Sequence, residues 1–352
     1  MPTFDAARLQ TFATELLATR ATAEESQRVA VGLVNANLRG YDSHGVMRLP
    51  YYLKAVADGD VVSGAELTIT KESATHLVTD ANWGFGQVQA GRLLDRLIEK
   101  TRLAGMAIGT MIQAGHIGRL GEYCEAAAVE NLVSIVMVNS HGAVVRVAPP
   151  GGIAPRLSTN PLAIGVPQKG RPLILDFSTS ATAEGKVRVK QIAGEKCPPG
   201  WLLDNEGQPT TDPETLYGDP PGSILPMGGG QAYKGFGLSL MIEILTGALS
   251  GGRTSREPLY PKKGNCVFML LVDPESFGGA AHFADEVEQL TEYVCSSPRV
   301  EGCEAIILPG DPERTTMAQR LPNGIFLDDE NWTVLARLAV EVGVSVPVAS
   351  DG

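Results

Sequence analysis

The chain has 352 residues, 43% of them apolar, with 40 acidic and 29 basic side chains and a formal net charge of -11. That length exceeds what a single small core can use, so one large or two interlocked domains are expected. The acidic balance, with Lys and Arg scattered singly, excludes the footprint of a nucleic-acid or anionic-lipid binder, and no stretch reaches the ~20 consecutive apolar residues of a membrane helix.

Taken in chain order, the first 60 residues read as helical. Phe4, Ala7, Leu9, Phe12, Leu16 and Leu17 recur at helical spacing, and Thr22-Ala23-Glu24-Glu25 has the form of a capping box opening a second helix that runs to Gly40. A third helix is expected from Val46 to Val56. Asp42 to Gly45 then falls at a helix junction, where amides without an intrahelical partner can face a ligand. The N-terminus shows no signal-peptide apolar block, so a soluble, cytoplasmic protein is expected.

From His76 onward short apolar runs alternate with helical patterns. Strands are expected at His76 to Thr79, Ala107 to Met111, Val133 to Val138, Leu162 to Val166, Leu173 to Asp176, Val267 to Val272 and Ala305 to Leu308. Helices are expected at Val88 to Thr101, Gly121 to Glu130, Gly235 to Leu249, Phe283 to Ser296 and Asp328 to Val342. The mixture indicates an α/β or α+β body, and the last helix is expected to pack back on the N-terminal ones. Between Pro149 and Pro226 the density of Pro and Gly suggests excursions over a binding face. The five cysteines (Cys124, Cys197, Cys266, Cys295, Cys303) are odd in number, widely spaced and without a CxxC pair. They read as reduced, mostly buried thiols rather than a disulfide framework or zinc site.

The residues best suited to chemistry are Asp42-Ser43-His44-Gly45 and Arg48. They place an imidazole that titrates near neutrality, a hydroxyl and a guanidinium within one turn of each other. The imidazole can give or take a proton and Arg48 can hold a carboxylate at two points, the minimum for reaction at the carbon beside a carboxylate. Of five histidines, His44, His116 and His141 sit beside glycine in loop-like contexts, whereas His76 in strand-like sequence and His282 in a loop read as structural. A zinc site from His44, His116, His141 and a carboxylate is a rival, weakened by long spacings and the absence of HxxxH or HExxH, and no metal is expected.

No GxGxxG with a following helix and ribose-binding acid is present, since Trp83-Gly84-Phe85-Gly86 lacks the third glycine, so an ordinary Rossmann domain is not expected. Four loops are better placed. His116 to Gly121, with Arg119, joins a strand to a helix and can meet a phosphate, or is an ordinary turn. Asp176 to Ser180 ends a strand with a carboxylate and three hydroxyls, suited to ribose or to a helix cap. Gly228 to Gly235 precedes a helix and carries Lys234. Pro309-Gly310-Asp311-Pro312 reads as a plain turn.

Together these blocks resemble one family, the type-2 malate/L-lactate dehydrogenases, along essentially the whole chain. The resemblance rests on Arg39 to Gly45, Gly115 to Gly118, Thr159 to Leu162, Leu175 to Ser180, Tyr233 to Gly235 and Leu308 to Gly310, in that order. Val187 to Asp204, ending Pro198-Pro199-Gly200-Trp201-Leu202-Leu203-Asp204, with Gly247 to Gly252, is most similar to the hydroxycarboxylate dehydrogenase B branch.

The resemblance implies a non-Rossmann, mixed-sheet nicotinamide domain over 73–311, a helical domain from 1–72 with 312–352, and a homodimer. It implies NAD or NADP as cofactor and a small 2-oxo or 2-hydroxy acid as substrate. By position, His44 would be the proton donor or acceptor, Ser43 its hydroxyl partner, Arg48 the carboxylate holder and Thr159 a substrate contact, with His116 competing for the catalytic role. His44, His116, Gly118, Arg119, Leu120, Asp176, Phe177, Ser178, Thr179, Ser180, Tyr233, Lys234, Asn265, Gly310, Asp311, Pro312 and Glu313 would hold the cofactor. Imine-reducing members tend to carry an Asp where this chain has Lys186, a cation that favours an anionic oxo acid over a cyclic imine. A piperideine or pyrroline carboxylate reductase is the alternative, and a metal-dependent hydrolase the alternative from another class.

Overall fold

The computed structural model describes residues 2–349. In chain order the elements are β1 (Thr3–Phe4), α1 (Ala6–Ala18), α2 (Ala23–Leu38), α3 (Leu49–Ala57), β2 (Thr68–Glu72), β3 (His76–Asp80), α4 (Gly86–Ala104), β4 (Met106–Ala114), α5 (Gly121–Val129) and β5 (Val133–Asn139). There follow β6 (Pro161–Val166), β7 (Leu173–Ser178), α6 (Glu184–Ile192), β8 (Leu202–Leu203), β9 (Pro209–Thr210), β10 (Ser223–Ile224) and α7 (Ala232–Glu243). The chain closes with β11 (Asn265–Val272), α8 (Ala280–Cys295), α9 (Asp311–Asn323), β12 (Ile325–Phe326) and α10 (Asp329–Val342).

Local chemistry explains the N-terminal helices. The Asp5 side chain accepts from the amides of Ala7 and Arg8, and Thr22 with Glu25 forms the expected reciprocal box. The stripe Leu9, Phe12, Ala13, Leu16 and Leu17 is buried, and it shares a core with Leu49, Tyr52 and Leu53 of α3, with Phe85 and Val88, and with Ile325, Leu327, Leu335 and Ala339. Both chain ends therefore close one helical core, pinned by β1 pairing with β12. The ends of the 1–72 plus 312–352 unit, Met1 and Ser350 to Gly352, lie outside the described residues.

A seven-stranded mixed sheet in the order β2-β3-β4-β11-β5-β6-β7 forms the second body, with β3–β4 its parallel pair and the others antiparallel. Helices α4 and α5 cover the face that carries Val267, Met269 and Leu271. Alternate side chains of β11 point the other way, where Cys266 meets the turn at Gly252 that follows α7. Cys124, Cys197 and Cys266 are buried, Cys303 partly so, and Cys295 is exposed; none is bridged.

The structure corrects several expectations. Ala305 to Leu308 is not a strand: it ends on Pro309, which has no amide to offer a ladder, the Leu308 amide is taken by the Asp311 carboxylate (2.9 Å), and a single bond from Ile174 N to Pro309 O crosses. Pro309-Gly310-Asp311-Pro312 is not a plain turn: Gly310 is the N-cap of α9, and Asp311 and Pro312 lie in its first turn. Phe4 lies in β1, His282 lies in α8 rather than a loop, and the Pro/Gly-rich region folds into α6 and the three-stranded sheet β10-β8-β9 around its own small core.

Candidate active site

Ser43 and His44 lie in a 3-10 turn, Asp42–His44, followed at once by a second, Val46–Arg48, that leads into α3. The junction is where the sequence places it, but the His44 and Gly45 amides are already bonded to Tyr41 O and Asp42 O, so they are not free donors. Ser43 Oγ stands 3.1 Å from His44 Nδ1. The His44 ring stacks on that of His116, with centroids 5.5 Å apart. Arg48 Nε donates to Ser43 O at 2.7 Å, and among the described residues its two Nη groups meet no protein acceptor.

His116 leaves β4 on the loop to α5, and its Nδ1 lies 2.8 Å from Tyr52 Oη. Gln87 Nε2 donates to the same oxygen at 3.1 Å. The phenol still has its own proton to give, and donating it to His116 Nδ1 satisfies both groups and leaves the N–H of a neutral His116 at Nε2. Burial pushes the Tyr52 hydroxyl up, which keeps that proton in place. Asn265 Oδ1 accepts from Ile117 N and its amide donates to Asn139 O, tying this loop to the sheet.

Burial and then the Arg48 and Arg119 cations hold His44 down at about 3. Burial, Arg48 and His44 together hold His116 well below the usual imidazole range. Both rings are therefore neutral at pH 7 in the free protein and able to accept a proton.

Beyond Tyr41, whose ring meets His44 edge-on, lies a second cluster. Tyr41 Oη donates to Glu313 Oε1 (2.9 Å) and contacts Asp176 O (3.1 Å), Arg119 sits over the Tyr41 ring and pairs with Glu125, and Asp176 accepts from the Gly121 amide at 2.7 Å. Burial pushes the Asp176 carboxyl up to about 6, opposed by Arg119 and the Gly121 amide. Leu120 caps α5 here, and Gly118 turns the loop that precedes it. Asp311 is engaged by Arg171 and Arg314, so its carboxylate serves the α9 start.

The third cluster follows the end of β7. Thr179 bonds through its amide and hydroxyl to Thr159 O, and Ser180 Oγ donates onward to Thr182 O, with Ser178 Oγ 3.1 Å away. The Met227 amide bonds Thr179 O, which brings in a groove of about 620 Å³ lined by Met227, Gly228, Gly230, Gln231, Lys234 and Leu238. Tyr233 and Lys234 are exposed beside it. Lys186 is exposed in the first turn of α6, next to Gly185, which touches Ser43.

His141 departs from the loop-histidine pattern: it is buried, 2.9 Å from Cys266 Sγ and edge-on to Trp83 and Tyr260, which makes it a packing residue. Among the described residues no group of three or more His, Cys, Asp or Glu is arranged to hold a metal, and no helix is long and apolar enough to cross a membrane. Sequence reasoning missed Tyr41, Tyr52, Gln87 and Glu243. The buried Glu243 accepts from Asn160, Asn139 and the Ser255 amide beside Thr159. Nothing in the local pattern of these four residues marks a distant partner.

A family model described as malate/L-lactate dehydrogenase matches residues 4–336. Hydroxycarboxylate dehydrogenase B of Escherichia coli O157:H7 is 36% identical over 347 residues, 97% of this chain and 94% of its own length. The solved malate dehydrogenase of Pyrococcus horikoshii OT3 superposes with a TM-score of 0.87 at 32% identity, covering 97% of this chain and 96% of that one. A delta1-piperideine-2-carboxylate reductase of Pseudomonas syringae pvar. tomato superposes at 0.80 and 31% identity, over 96% and 100%.

Proposed function

Because the chain belongs to the malate/L-lactate dehydrogenase family, we propose that it is an NAD(P)-dependent dehydrogenase that interconverts a 2-hydroxy carboxylic acid and its 2-oxo acid. The observation that carries this is the Ser43–His44 pair beside an Arg48 whose Nη groups are unengaged. One proton-transfer group and one carboxylate grip lie on two successive 3-10 turns.

In oxidation, His44 Nδ1–H donates to Ser43 Oγ, which leaves the Nε2 lone pair to take the substrate's hydroxyl proton while Arg48 holds the carboxylate. Reduction runs the same path backwards from the imidazolium. His116, with Nε2–H fixed by Tyr52, is a hydrogen-bond donor that polarises the substrate oxygen rather than the base. Ser43 holds the imidazole, and Thr159 and Lys186 border the substrate.

The donor set suits a nicotinamide dinucleotide. Among the described residues, Glu313 Oε2 and Arg119 Nη1 are buried without a protein partner. With Asp176 they offer carboxylate acceptors for ribose hydroxyls and a cation for phosphate, and the glycine-rich groove with Lys234 and Tyr233 offers room and charge. Phe177 and Ser178 to Ser180 would line the path between them, with Asn265 and Gly118 shaping the loop. When bound, the nicotinamide supplies or accepts the hydride.

A helical unit of 1–72 with 312–352 and a sheet unit of 73–311 are proposed as the two halves of the cleft. A homodimer is proposed because Tyr233, Leu240 and Met241 of α7, with Ile244 and Leu249 beyond, remain exposed. The test is the loss of reduced-nicotinamide absorbance, with NADH and NADPH separately, on a panel of 2-oxo acids from pyruvate to phenylpyruvate and one cyclic imine. Turnover of oxo acids supports the proposal; turnover of the imine alone replaces it with the reductase alternative.

A further inference from the structure

The side chain that holds the Ser43–His44 turn in place comes from the far end of the chain. Arg320, on α9, grips Asp42 with two bonds, Nη1 to Oδ1 at 2.7 Å and Nη2 to Oδ2 at 3.0 Å, and Nη1 also donates to Asn37 O. Its side chain is 12% exposed and lies over the Phe326 ring. From the other side, Asn37 Nδ2 donates to Asp42 Oδ1 at 2.7 Å while Asn37 Oδ1 accepts from Val46 N at 2.9 Å. The Asn37 amide thus spans the turn from its first residue to the one after Gly45. The fit is tight, since a Cβ on Gly45 would lie 2.2 Å from Asn37 Oδ1. Ser43 and His44, which with Gly45 lie between the fixed points, use none of their side-chain atoms in this frame.

We propose that Arg320 is a positioning residue for proton transfer: it locks Asp42, through Asp42 the turn, and so sets the direction of the His44 imidazole. Asp42 is then read as the receptor for this clamp and not as a reacting group. A planar fork on a carboxylate fixes orientation as well as distance, which a lysine ammonium at the same place cannot do. The inference rests on the reading that His44 moves the proton, and the experiment separates the two.

Arg320→Ala is compared with the parent in steady-state oxo-acid reduction, and the rate of His44 carbethoxylation by diethyl pyrocarbonate is followed by peptide mass. A small misplacement of a proton-transfer group costs on the order of 10- to 100-fold in rate. We expect kcat to fall by about that factor, KM for the reduced nicotinamide to stay within about twofold, and His44 to be modified several-fold faster. Arg320→Lys should recover little, and Arg337→Ala, an exposed arginine of α10, should match the parent. Should Arg320→Ala fail to fold, Asp42→Asn removes the charge pair at constant volume and is expected to show the same two changes. A folded variant with parental kcat and parental His44 modification overturns the proposal. If the parent turns over no oxo acid, the functional reading fails, and the modification rates alone still decide whether Arg320 sets His44.

Discussion

Acidifying the protein from pH 5.5 to 4.5 should expose the neutral state of His44 as a stability term. The folded imidazole sits at about 3 against an ordinary 6.5. Across this window the unfolded chain binds a proton at residue 44 and the folded one does not. A lowered histidine contributes stability that is complete above pH 6.5 and is lost as pH falls toward about 3. One proton of difference is worth about 1.4 kcal/mol per pH unit, and His44 supplies most of it. Asp176 has the opposite sign. Its carboxyl is raised to about 6 from 3.8, so the folded protein takes up that proton first, and acidification through the same window stabilises it by roughly 1 kcal/mol per pH unit. Equilibrium urea unfolding by far-UV circular dichroism at the two pH values reads the slope, and comparison with the parent cancels the other titrating groups. His44→Gln should flatten the acid loss by about 1 kcal/mol and Asp176→Asn should steepen it by a similar amount. A His44→Gln slope equal to the parent's would mean that the imidazole is protonated in the folded state, which refutes the account of its electrostatics.

Three further outcomes bear on the site. His44→Ala should lose on the order of 10²-fold or more in kcat, and His116→Ala clearly less; steady-state kinetics in which the order is reversed would transfer the acid/base role to His116. Tyr52→Phe removes the donor that sets the His116 tautomer and the acceptor of Gln87, so kcat/KM should fall about tenfold and stability by about 1–3 kcal/mol, read by kinetics and denaturant melts; unchanged values would show that Tyr52 is only packing. In Gly185→Ala the new Cβ would lie 2.6 Å from Ser43 Cβ, closer than such atoms approach. Crowding of this kind costs about 1–3 kcal/mol, and because it falls on Ser43 the loss of kcat should exceed the loss of melting temperature; equal activity with a lower melting temperature would count against it.

How much of this was legible in the sequence follows from the range of each interaction. The capping box of Thr22 and Glu25, the buried stripe of α1 and the cores of β4, β5 and β11 are written within a few residues, and the helical and strand periods place them within a turn or so. The Ser43-His44-Arg48 group was visible for the same reason, since two successive 3-10 turns contain it. The start of α9 was misread because Pro309 to Pro312 carries turn residues, although Pro312 in the first turn with Asp311 and Glu313 is equally a helix-start pattern. The partners that set proton positions, Tyr52 for His116, Arg320 for Asp42, and Glu243 for Asn160, meet across 64, 278 and 83 residues. No local period encodes such a meeting, so neither the His116 tautomer nor the neutrality of His44 could be read before the chain was folded.

That neutrality carries a consequence for the order of events. Burial, Arg48 and Arg119 each favour the uncharged ring, and of these Arg48 is the one that a substrate carboxylate can offset. An anion seated on Arg48 cancels its repulsion and adds attraction, so the folded imidazole must rise when the substrate binds, while burial keeps it from regaining its full ordinary value. Binding and protonation are then linked, and on the proposed mechanism an oxo acid draws in the proton that its reduction needs. Oxamate, isosteric with pyruvate and inert to hydride, tests this in the presence of saturating NADH. Calorimetry at pH 6 in two buffers of different ionisation enthalpy should show net proton uptake on binding, falling as the pH is raised. His44→Gln should bind with almost no uptake. Saturating binding with no proton taken up by the parent, or the same uptake in His44→Gln, would show that the substrate's charge does not load His44 and that the proton reaches the carbonyl by another route.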